Sequence, residues 1–350
     1  MSQAVERERV PDLDAAREDW SRLADAAGSP FSTWEWASTW WRHFGADRPL
    51  AIDRCRAGGR TMAILPLYEW RARPLRVLRF LGHGESDQLA PVCAPEDRPQ
   101  AARALRAALS ESPAQLLLAD RLPGDHGWTE LLAGRVMGTA ASPVLDAGGA
   151  DFDEWLRSRS KNFREQVRRR EKRLRREHTV EFRLCEDPDR LDADYNALVR
   201  LHEARWGAQS QSFQGAREPF HRDFARIALE RGWLRLWTLE VDGAAAAAWL
   251  GYRFAGIEWY YQAGRDPALE REAIGFVLMV HTIRTALDDG MGEYRLLLGR
   301  EGYKDRFANV DHGVETVALA DGALGRGVIA AVSAADRGPE ALRRRLKRLL

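Results

Sequence analysis

The chain has 350 residues, of which 45% are hydrophobic and 30% are charged, a composition typical of folded globular proteins that excludes extensive intrinsic disorder. At about 150 residues per domain, this length predicts two domains. The formal net charge of +1 argues against a globally basic nucleic-acid-binding protein, although a local basic patch is compatible with it.

The first residues contain neither an apolar core nor a cleavage motif, and no apolar run approaches the ~18 residues of a membrane span. We therefore expect a cytoplasmic protein with no signal peptide and no transmembrane helix. Cys55, Cys93 and Cys185 are far apart and form no C-x-x-C pair, so we expect packing roles for them. His83 lies near Glu85 and Asp87, but a metal site would need ligands from elsewhere, and we predict no metal.

The first half of the chain has a mixed α/β pattern and ends in a small-residue segment, residues 139–149, that predicts a domain boundary near residue 150. The expected domains are residues 1–150 and residues 151–350. The predicted elements of the first domain are helices 13–27 and 32–44, strands 50–56, 61–70 and 75–81, helix 99–109 and strand 115–119. Ser32 or Thr33 is the expected N-cap of the second helix.

The second half repeats a similar order of elements, which suggests duplication of one α/β unit. Its predicted elements are helix 152–177, strand 180–185, helices 188–205 and 218–231, strands 234–241, 244–254 and 257–263, helix 273–288 and strand 294–298. Gly290 is the expected C-terminal stop of the last helix. The Gly-rich residues 322–327 resemble a phosphate-binding loop but do not clearly follow a strand, so we predict a turn there.

Residues 157–176 contain 11 basic and 2 acidic residues and predict a strongly basic helix. Cations at spacings of three and four residues fall on one helical face; they are Arg157, Lys161, Arg164, Arg168, Lys172 and Arg175. A narrower apolar stripe, Phe163, Val167 and Leu174, would dock the helix. The cations on this face repel one another, and two explanations for how the repulsion is offset remain open. One is solvent together with the acidic rest of the domain, and the other is a bound polyanion such as cofactor phosphates, RNA or lipid headgroups.

Two segments near the end of the second domain have the pattern of a ligand pocket. Residues 296–307 leave a buried strand and enter a polar stretch that contains Lys304, one of only four lysines among 53 basic residues. In a chain that uses arginine so heavily, a retained lysine indicates a role for an ammonium point charge, although a surface lysine beside Asp305 is the alternative. Residues 260–267 form a strand and a polar turn before the helix that contains Gly275, which predicts a pocket with free backbone N–H groups.

The order of several blocks resembles one family over most of the chain. These blocks are Pro30-Phe31-Ser32 followed by Trp36, Trp40, Trp41 and Phe44, then Ser160–Leu174, Leu201–Trp206 (LHEARW), Tyr260–Asp266 and Leu298–Lys304. They resemble the GNAT-like acyltransferases of the cellulose-biosynthesis type, known as CelD/BcsL, which are related to the Fem-type peptidyltransferases. The last block is the most specific of them.

The resemblance implies an α/β (α+β) fold with two tandem GNAT-like domains, each a mixed, mostly antiparallel sheet flanked by helices, with a substrate cleft between them. It implies an N-acyltransferase that transfers an acyl group from acyl-CoA to an amine of a small molecule, sugar or peptide. The alternatives are a Fem-type transferase that uses aminoacyl-tRNA, and a non-catalytic binding protein with the same fold. One departure matters, because the pyrophosphate-binding R/Q-x-x-G-x-G/A motif of GNAT enzymes is matched here only by Gly275.

By this resemblance, Lys304 is the electrostatic group near the donor carbonyl or its phosphates. Asp87 is the expected base or acceptor anchor, with a turn aspartate as the alternative, and Tyr260 is a hydrogen-bond donor or a core residue. The expected donor- or substrate-binding residues are Arg164, Arg168, Trp206, Arg265, Gly275 and Tyr303. Trp206 either packs or forms a wall of the cleft. A basic C-terminal helix, residues 340–350, either docks on its domain or lies on an anionic membrane.

Overall fold

The computed structural model describes residues 5–72, 75–299 and 301–335. The chain divides into two compact units: unit 1 is Met1–Ala141 with His312–Leu350, and unit 2 is Ser142–Asp311. The chain therefore enters unit 2 shortly before the expected boundary and returns to unit 1 after it. The predicted C-terminal helix, residues 340–350, lies outside the described residues.

The described residues contain sixteen strands and ten α-helices. The strands are β1 (Glu6–Arg9), β2 (Asp53–Ala57), β3 (Arg60–Leu65), β4 (Leu67–Ala72), β5 (Leu75–Phe80), β6 (Val92–Cys93), β7 (Leu116–Pro123), β8 (Arg135–Ala140), β9 (Pro143–Asp146), β10 (Val180–Leu184), β11 (Leu234–Val241), β12 (Ala244–Phe254), β13 (Ile257–Arg265), β14 (Glu293–Arg295), β15 (Val310–Asp311) and β16 (Val314–Ala320). The helices are α1 (Arg17–Ala27), α2 (Trp34–Trp40), α3 (Arg98–Ser110), α4 (Trp128–Leu132), α5 (Phe152–Ser158), α6 (Lys161–Glu177), α7 (Pro188–Trp206), α8 (Arg217–Glu230), α9 (Ile274–Asp288) and α10 (Gly322–Ala335).

Unit 1 contains two sheets, with strand orders β1-β2-β3-β6 and β4-β5-β7-β16-β8. The single strand predicted over residues 61–70 is wrong, because Pro66 separates β3 from β4 and the two strands join different sheets. Proline has no N–H to donate to a strand ladder, so it marks a natural break. The side chain of Thr33 accepts from the Trp36 N–H, which makes Thr33 the N-cap of α2.

The turn predicted over residues 322–327 is also wrong, because these residues begin α10 directly after β16. Gly322 has φ of +71°, which allows the sharp exit from the strand, and the apolar and alanine-rich residues that follow sustain the helix. The three glycines favour a turn by their low helix propensity. That propensity is weak enough for the neighbouring residues to override it.

Unit 2 is built on one seven-stranded sheet in the order β10-β11-β12-β13-β14-β9-β15. All neighbours are antiparallel except β13 and β14, which are parallel. The hairpin between β11 and β12 turns at Asp242 and Gly243, both at positive φ, as two-residue turns require. Helix α9 packs its apolar residues on the core of this sheet and stops at Gly290, at φ of +80°, as predicted.

The predicted helix 152–177 is in fact two helices, α5 and α6. Asp151 and Glu154 form a capping box at the start of α5, and the Ser160 side chain accepts from the Phe163 N–H at the start of α6. Because Ser160 is the N-cap of α6, the residue before it, Arg159, is extended, and α5 ends there. Arg157 therefore belongs to α5 and does not share the basic face of α6, which corrects the predicted six-residue face.

Strands β13 and β14 separate after a short parallel pairing, and we call this separation the β13–β14 splay. Their pairing ends at Trp259 and Arg295, although β13 continues to Arg265. A register shift opposite Tyr261 adds a β-bulge in β13 at the same point. The two strands therefore separate towards the carboxyl end of β13, where the described residues place no further strand beside β13 on that side.

Candidate functional site

A cavity of about 320 Å³ lies beside the splay and is lined entirely by residues of unit 2. Its apolar wall comes from β12, β13 and α9; the large side chains are Trp249, Tyr260, Phe276, Leu278 and Met279. The Trp249 and Tyr260 rings stack with centroids 5.7 Å apart. A cavity of this kind suits a ligand with an extended, uncharged part.

Four arginines, which we call the arginine rim, line the polar side of the same cavity: Arg170, Arg205, Arg265 and Arg306. Arg265 forms an ion pair with Glu270 at 3.0 Å. Within the described residues, the other three form no ion pair with a carboxylate. Burial lowers the pKa of the Arg170 guanidinium, and the charge of Arg306 lowers it further. Arg306 donates to the side-chain oxygen of Gln166 at 2.6 Å. Arginines that have no carboxylate partner beside a cavity favour an anionic ligand, because phosphate or carboxylate oxygens would offset their repulsion.

Three of the predicted site residues meet at Tyr260 of β13, the residue after the last pair between β13 and β14. The Tyr303 hydroxyl donates to the Tyr260 hydroxyl at 3.3 Å, and Lys304 Nζ lies 6.0 Å from the centre of the Tyr260 ring. Lys304 is only 3% exposed, so it is not a surface lysine; its ammonium contacts Glu301 at 2.8 Å and donates to the Leu298 carbonyl. Burial raises the pKa values of both tyrosines. Both hydroxyls therefore remain protonated donors at neutral pH.

Arg265 and Gly275 also belong to the cavity, at the start of α9. A Cβ added at Gly275 would lie 3.1 Å from Arg265 Cδ, so the arginine stem crosses the helix start where a side chain would obstruct it. Ala273 precedes the helix at φ of +56°. This arrangement pairs a side-chain cation with the positive end of a helix, and both favour negative charge.

The remaining predicted residues lie elsewhere. Arg164 donates to the carbonyls of Arg157 and Arg159, and Arg168 is exposed and lines a separate groove on α6. Trp206 does not line the cavity, but its ring stacks under the Arg205 guanidinium at 4.4 Å. Asp87 lies in unit 1, where its carboxylate is 3.4 Å from Arg121.

Arg170, Arg205 and Arg306 line the cavity but were not predicted from the sequence. Arg170 carried a usable signal, because it falls between Val167 and Leu174 on the apolar stripe of α6. A cation inside a docking stripe must either meet a carboxylate or face a cavity, and Arg170 faces the cavity. Its ring contact is Phe276, 4.5 Å away.

Among the described residues, no group of three histidine, cysteine, aspartate or glutamate side chains has metal-binding geometry. In the same part of the chain, no helix has the length and apolar character to cross a membrane. The three cysteines are buried and unbridged.

Residues 161–305 match the protein family described as Acetyltransferase (GNAT) domain. Among solved structures, FemX aligns with 90% of this chain and 97% of its own length, at 11% identity and a TM-score of 0.64. The C-terminal domain of a putative lysylphosphatidylglycerol synthetase from Agrobacterium fabrum covers 91% and 96%, at 13% identity and 0.59. A tandem GNAT protein from the clavulanic acid biosynthesis pathway covers 91% and 99%, at 14% identity and 0.50. No curated protein sequence matches this chain significantly.

These matches confirm the expected fold class, mixed α/β sheets flanked by helices, and identify residues 161–305 as similar to a GNAT acetyltransferase domain. The matched segment contains the Tyr260–Tyr303–Lys304 cluster and most of the arginine rim. At such low identities the structural likeness speaks to the fold alone. The specific CelD/BcsL family is not confirmed by them.

Proposed function

We propose that this protein is an N-acyltransferase that takes an acyl group from acyl-CoA and transfers it to an amine of a small molecule, sugar or peptide, as the resemblance to CelD/BcsL proteins implies. The observation that carries the proposal is the cavity at the β13–β14 splay, in which an apolar wall, the arginine rim and two protonated tyrosines face one space. The donor's phosphates would bind the arginine rim, and its uncharged arm would follow the apolar wall.

In the proposed reaction, the neutral amine attacks the thioester carbonyl carbon, and a tetrahedral intermediate with a negative oxygen forms. Tyr260 accepts a hydrogen bond from Tyr303, so its own proton is free to donate to that oxygen or to the departing thiolate. Lys304 does not line the cavity; its ammonium pairs with Glu301 and lies 6.0 Å from the centre of the Tyr260 ring, through which it would act on the reaction. The amine loses its proton to a general base. The role of Asp87 stays a prediction from the sequence, since Asp87 belongs to unit 1 and the cavity is lined by residues of unit 2.

The missing pyrophosphate motif has a partial substitute at the start of α9. Glu270 would repel phosphate, but it is held in an ion pair by Arg265. Arg170, Arg205 and Arg306 line the cavity, and their guanidinium N–H groups would donate to the phosphates in place of the backbone N–H groups of the missing motif. Hydrogen bonds to charged groups are each worth about 1.5–3 kcal/mol, so each arginine that contacts a diphosphate would add free energy of that order to binding.

An aminoacyl-tRNA donor is the second candidate, and it is favoured by the exposed cations of α6. Arg168, Lys172 and Arg175 line a groove separate from the cavity, where a longer polyanion would extend. Such an interface would lose affinity steeply as salt concentration rises.

Paired substitutions on α6 separate the two donors. Arg170 lines the cavity and Arg168 does not, so Arg170→Gln and Arg168→Gln differ in place but not in charge. Calorimetry with acetyl-CoA should show affinity lowered about 10- to 100-fold by Arg170→Gln and unchanged by Arg168→Gln. Filter binding would measure the affinity of the same proteins for charged tRNA. If both substitutions weaken tRNA binding, the second candidate is favoured. Binding of neither donor to the wild-type chain would refute the proposal.

A further inference from the structure

A second, smaller cavity of about 250 Å³ lies in unit 2 beside the loop that follows α7. It is lined by His202, Glu203, Gly207, Ser210, Phe213 and Gln214. None of these residues lines the cavity of the arginine rim, and the proposed transfer mechanism uses none of them.

His202 and Ser210 form a hydrogen-bonded pair at this cavity. His202 is 4% exposed, and its Nδ1 lies 3.0 Å from the Ala263 carbonyl oxygen of β13. A carbonyl only accepts, so Nδ1 carries the imidazole proton and Nε2 has a free lone pair. Ser210 Oγ lies 2.8 Å from Nε2 and 3.1 Å from Ser212 Oγ. Because Nε2 in this tautomer only accepts, the Ser210 hydroxyl donates to it when that contact is made. Hydrogen bonds thus connect a nucleophile, Ser210, to a base, His202, and the base to the Ala263 carbonyl that orients it.

The fold explains why this pair is held so tightly. Gly264 lets α7 approach β13 so closely that an added Cβ would lie 2.2 Å from the His202 backbone nitrogen. The same approach brings the Ala263 carbonyl to the His202 ring. The Ser212 N–H donates to Ser210 Oγ at 3.2 Å, which would favour a developing negative charge on that oxygen. Ser210 itself is partly exposed and accessible from the cavity.

We propose that Ser210 is a nucleophile, activated by His202, which accepts an acyl group from an activated ester or thioester. Ser210 Oγ attacks the acyl carbonyl carbon while its proton passes to His202 Nε2. The bond to the leaving alcohol or thiol then breaks, and the leaving group takes the proton from Nε2. The product is a serine ester, which water or an acceptor amine cleaves with His202 again as the base.

The proposal rests on the proposed function only for the natural source of the acyl group. The pair itself is testable with reagents that do not bind the arginine rim, such as p-nitrophenyl acetate and a fluorophosphonate probe. The alternative is that the Ser210–His202 hydrogen bond only fixes the loop after α7, in which case Ser210 would be no more reactive than other serines.

The experiment uses the full chain and matched variants. We expect a burst of p-nitrophenolate and one acetyl group on Ser210, located by fragmenting the tryptic peptide 206–217 so that Ser210 is distinguished from Ser212. Ser210→Ala should abolish both acetylation and fluorophosphonate labelling. His202→Gln should slow them about 100-fold or more, as expected for loss of a general base. Ser212→Ala removes a hydroxyl 3.1 Å from Ser210 Oγ and should retain both reactions within a few-fold.

Acetylation of another residue, or wild-type rates in Ser210→Ala or His202→Gln, would overturn the proposal. Mapping the label on the wild-type chain keeps the test valid if a variant fails to fold. Labelled Ser210 in a protein that binds no acyl-CoA would refute the proposed function and leave this inference standing. Tight acyl-CoA binding with an unreactive Ser210 would do the reverse.

Discussion

The close approach of α7 to β13 depends on one missing side chain, at Gly264. The structure predicts that Gly264→Ala destabilises unit 2, because the new Cβ would lie 2.2 Å from the His202 nitrogen and 2.5 Å from the Leu201 carbonyl carbon. Ordinary contact begins at 3.4 Å, so α7 and β13 must separate by about 1 Å. Both obstacles are backbone atoms, and no side-chain rotation relieves them.

Overpacking a well-packed interface costs about 1–3 kcal/mol, and a clash with backbone belongs at the upper end, near ~3 kcal/mol. For units of 150–250 residues, each kcal/mol lowers Tm by about 2–4 °C, so we expect a fall of about 6–12 °C. The displaced helix carries Arg205, which lines the arginine-rim cavity, so donor affinity should fall as well.

Differential scanning calorimetry of Gly264→Ala and Gly292→Ala is the measurement. Gly292 is a matched control, because it lies in the same unit, has no atom within 4 Å of an added Cβ and has no positive φ. Its alanine variant should melt within about 2 °C of the wild type. A Gly264→Ala protein that also melts within 2 °C of the wild type would refute the packing argument at this interface.

Three other outcomes follow from the contacts described above. Lys304→Met should lower turnover about 100-fold or more in steady-state kinetics, and unchanged turnover would remove Lys304 from the mechanism. Tyr260→Phe keeps the ring stacked on Trp249 and should lower kcat about 10- to 100-fold with little change in donor Kd by calorimetry; an equal loss in both would indicate a binding role only. Burial against Phe182 lowers the pKa of His281 to about 4, so the unfolded chain binds the proton more readily. Stability should therefore fall as pH drops from 6.5 towards 4, and His281→Phe should flatten that part of the Tm–pH profile; an unchanged slope would contradict it.

Much of unit 2 was predictable because its signals are local. Strands β11, β12 and β13 are apolar runs separated by short turns, and α9 is an apolar helix that ends at a glycine. These features depend on residues within a few positions of one another, and the structure confirms them. Tyr260, Tyr303 and Lys304 were named as site residues from the family resemblance and not from a local pattern, and the structure brings their side chains together.

The features that were not predicted share a physical cause, which is that spacing along the chain does not specify contacts across it. Arg164 and Arg168 were chosen because they lie on the most basic face of α6, but the cavity meets the other side of that helix, at Arg170. The His202–Ser210 pair depends on the main-chain carbonyl of Ala263, which no side-chain pattern reveals. The break between α5 and α6 could have been predicted, because serine is a favoured N-cap residue. The long run of basic residues around Ser160 instead suggested one continuous helix.

Strand β16 has a consequence for the order in which the protein folds during synthesis. It lies between β7 and β8 in the second sheet of unit 1, although all of unit 2 precedes it in the chain. On the ribosome, residues Ser142–Asp311 emerge and are free to fold while β8 still has no neighbour. The half that is made first is therefore completed last. In the meantime the nascent chain exposes open strand edges on β7 and β8, which makes that interval the period in which it most needs protection from aggregation.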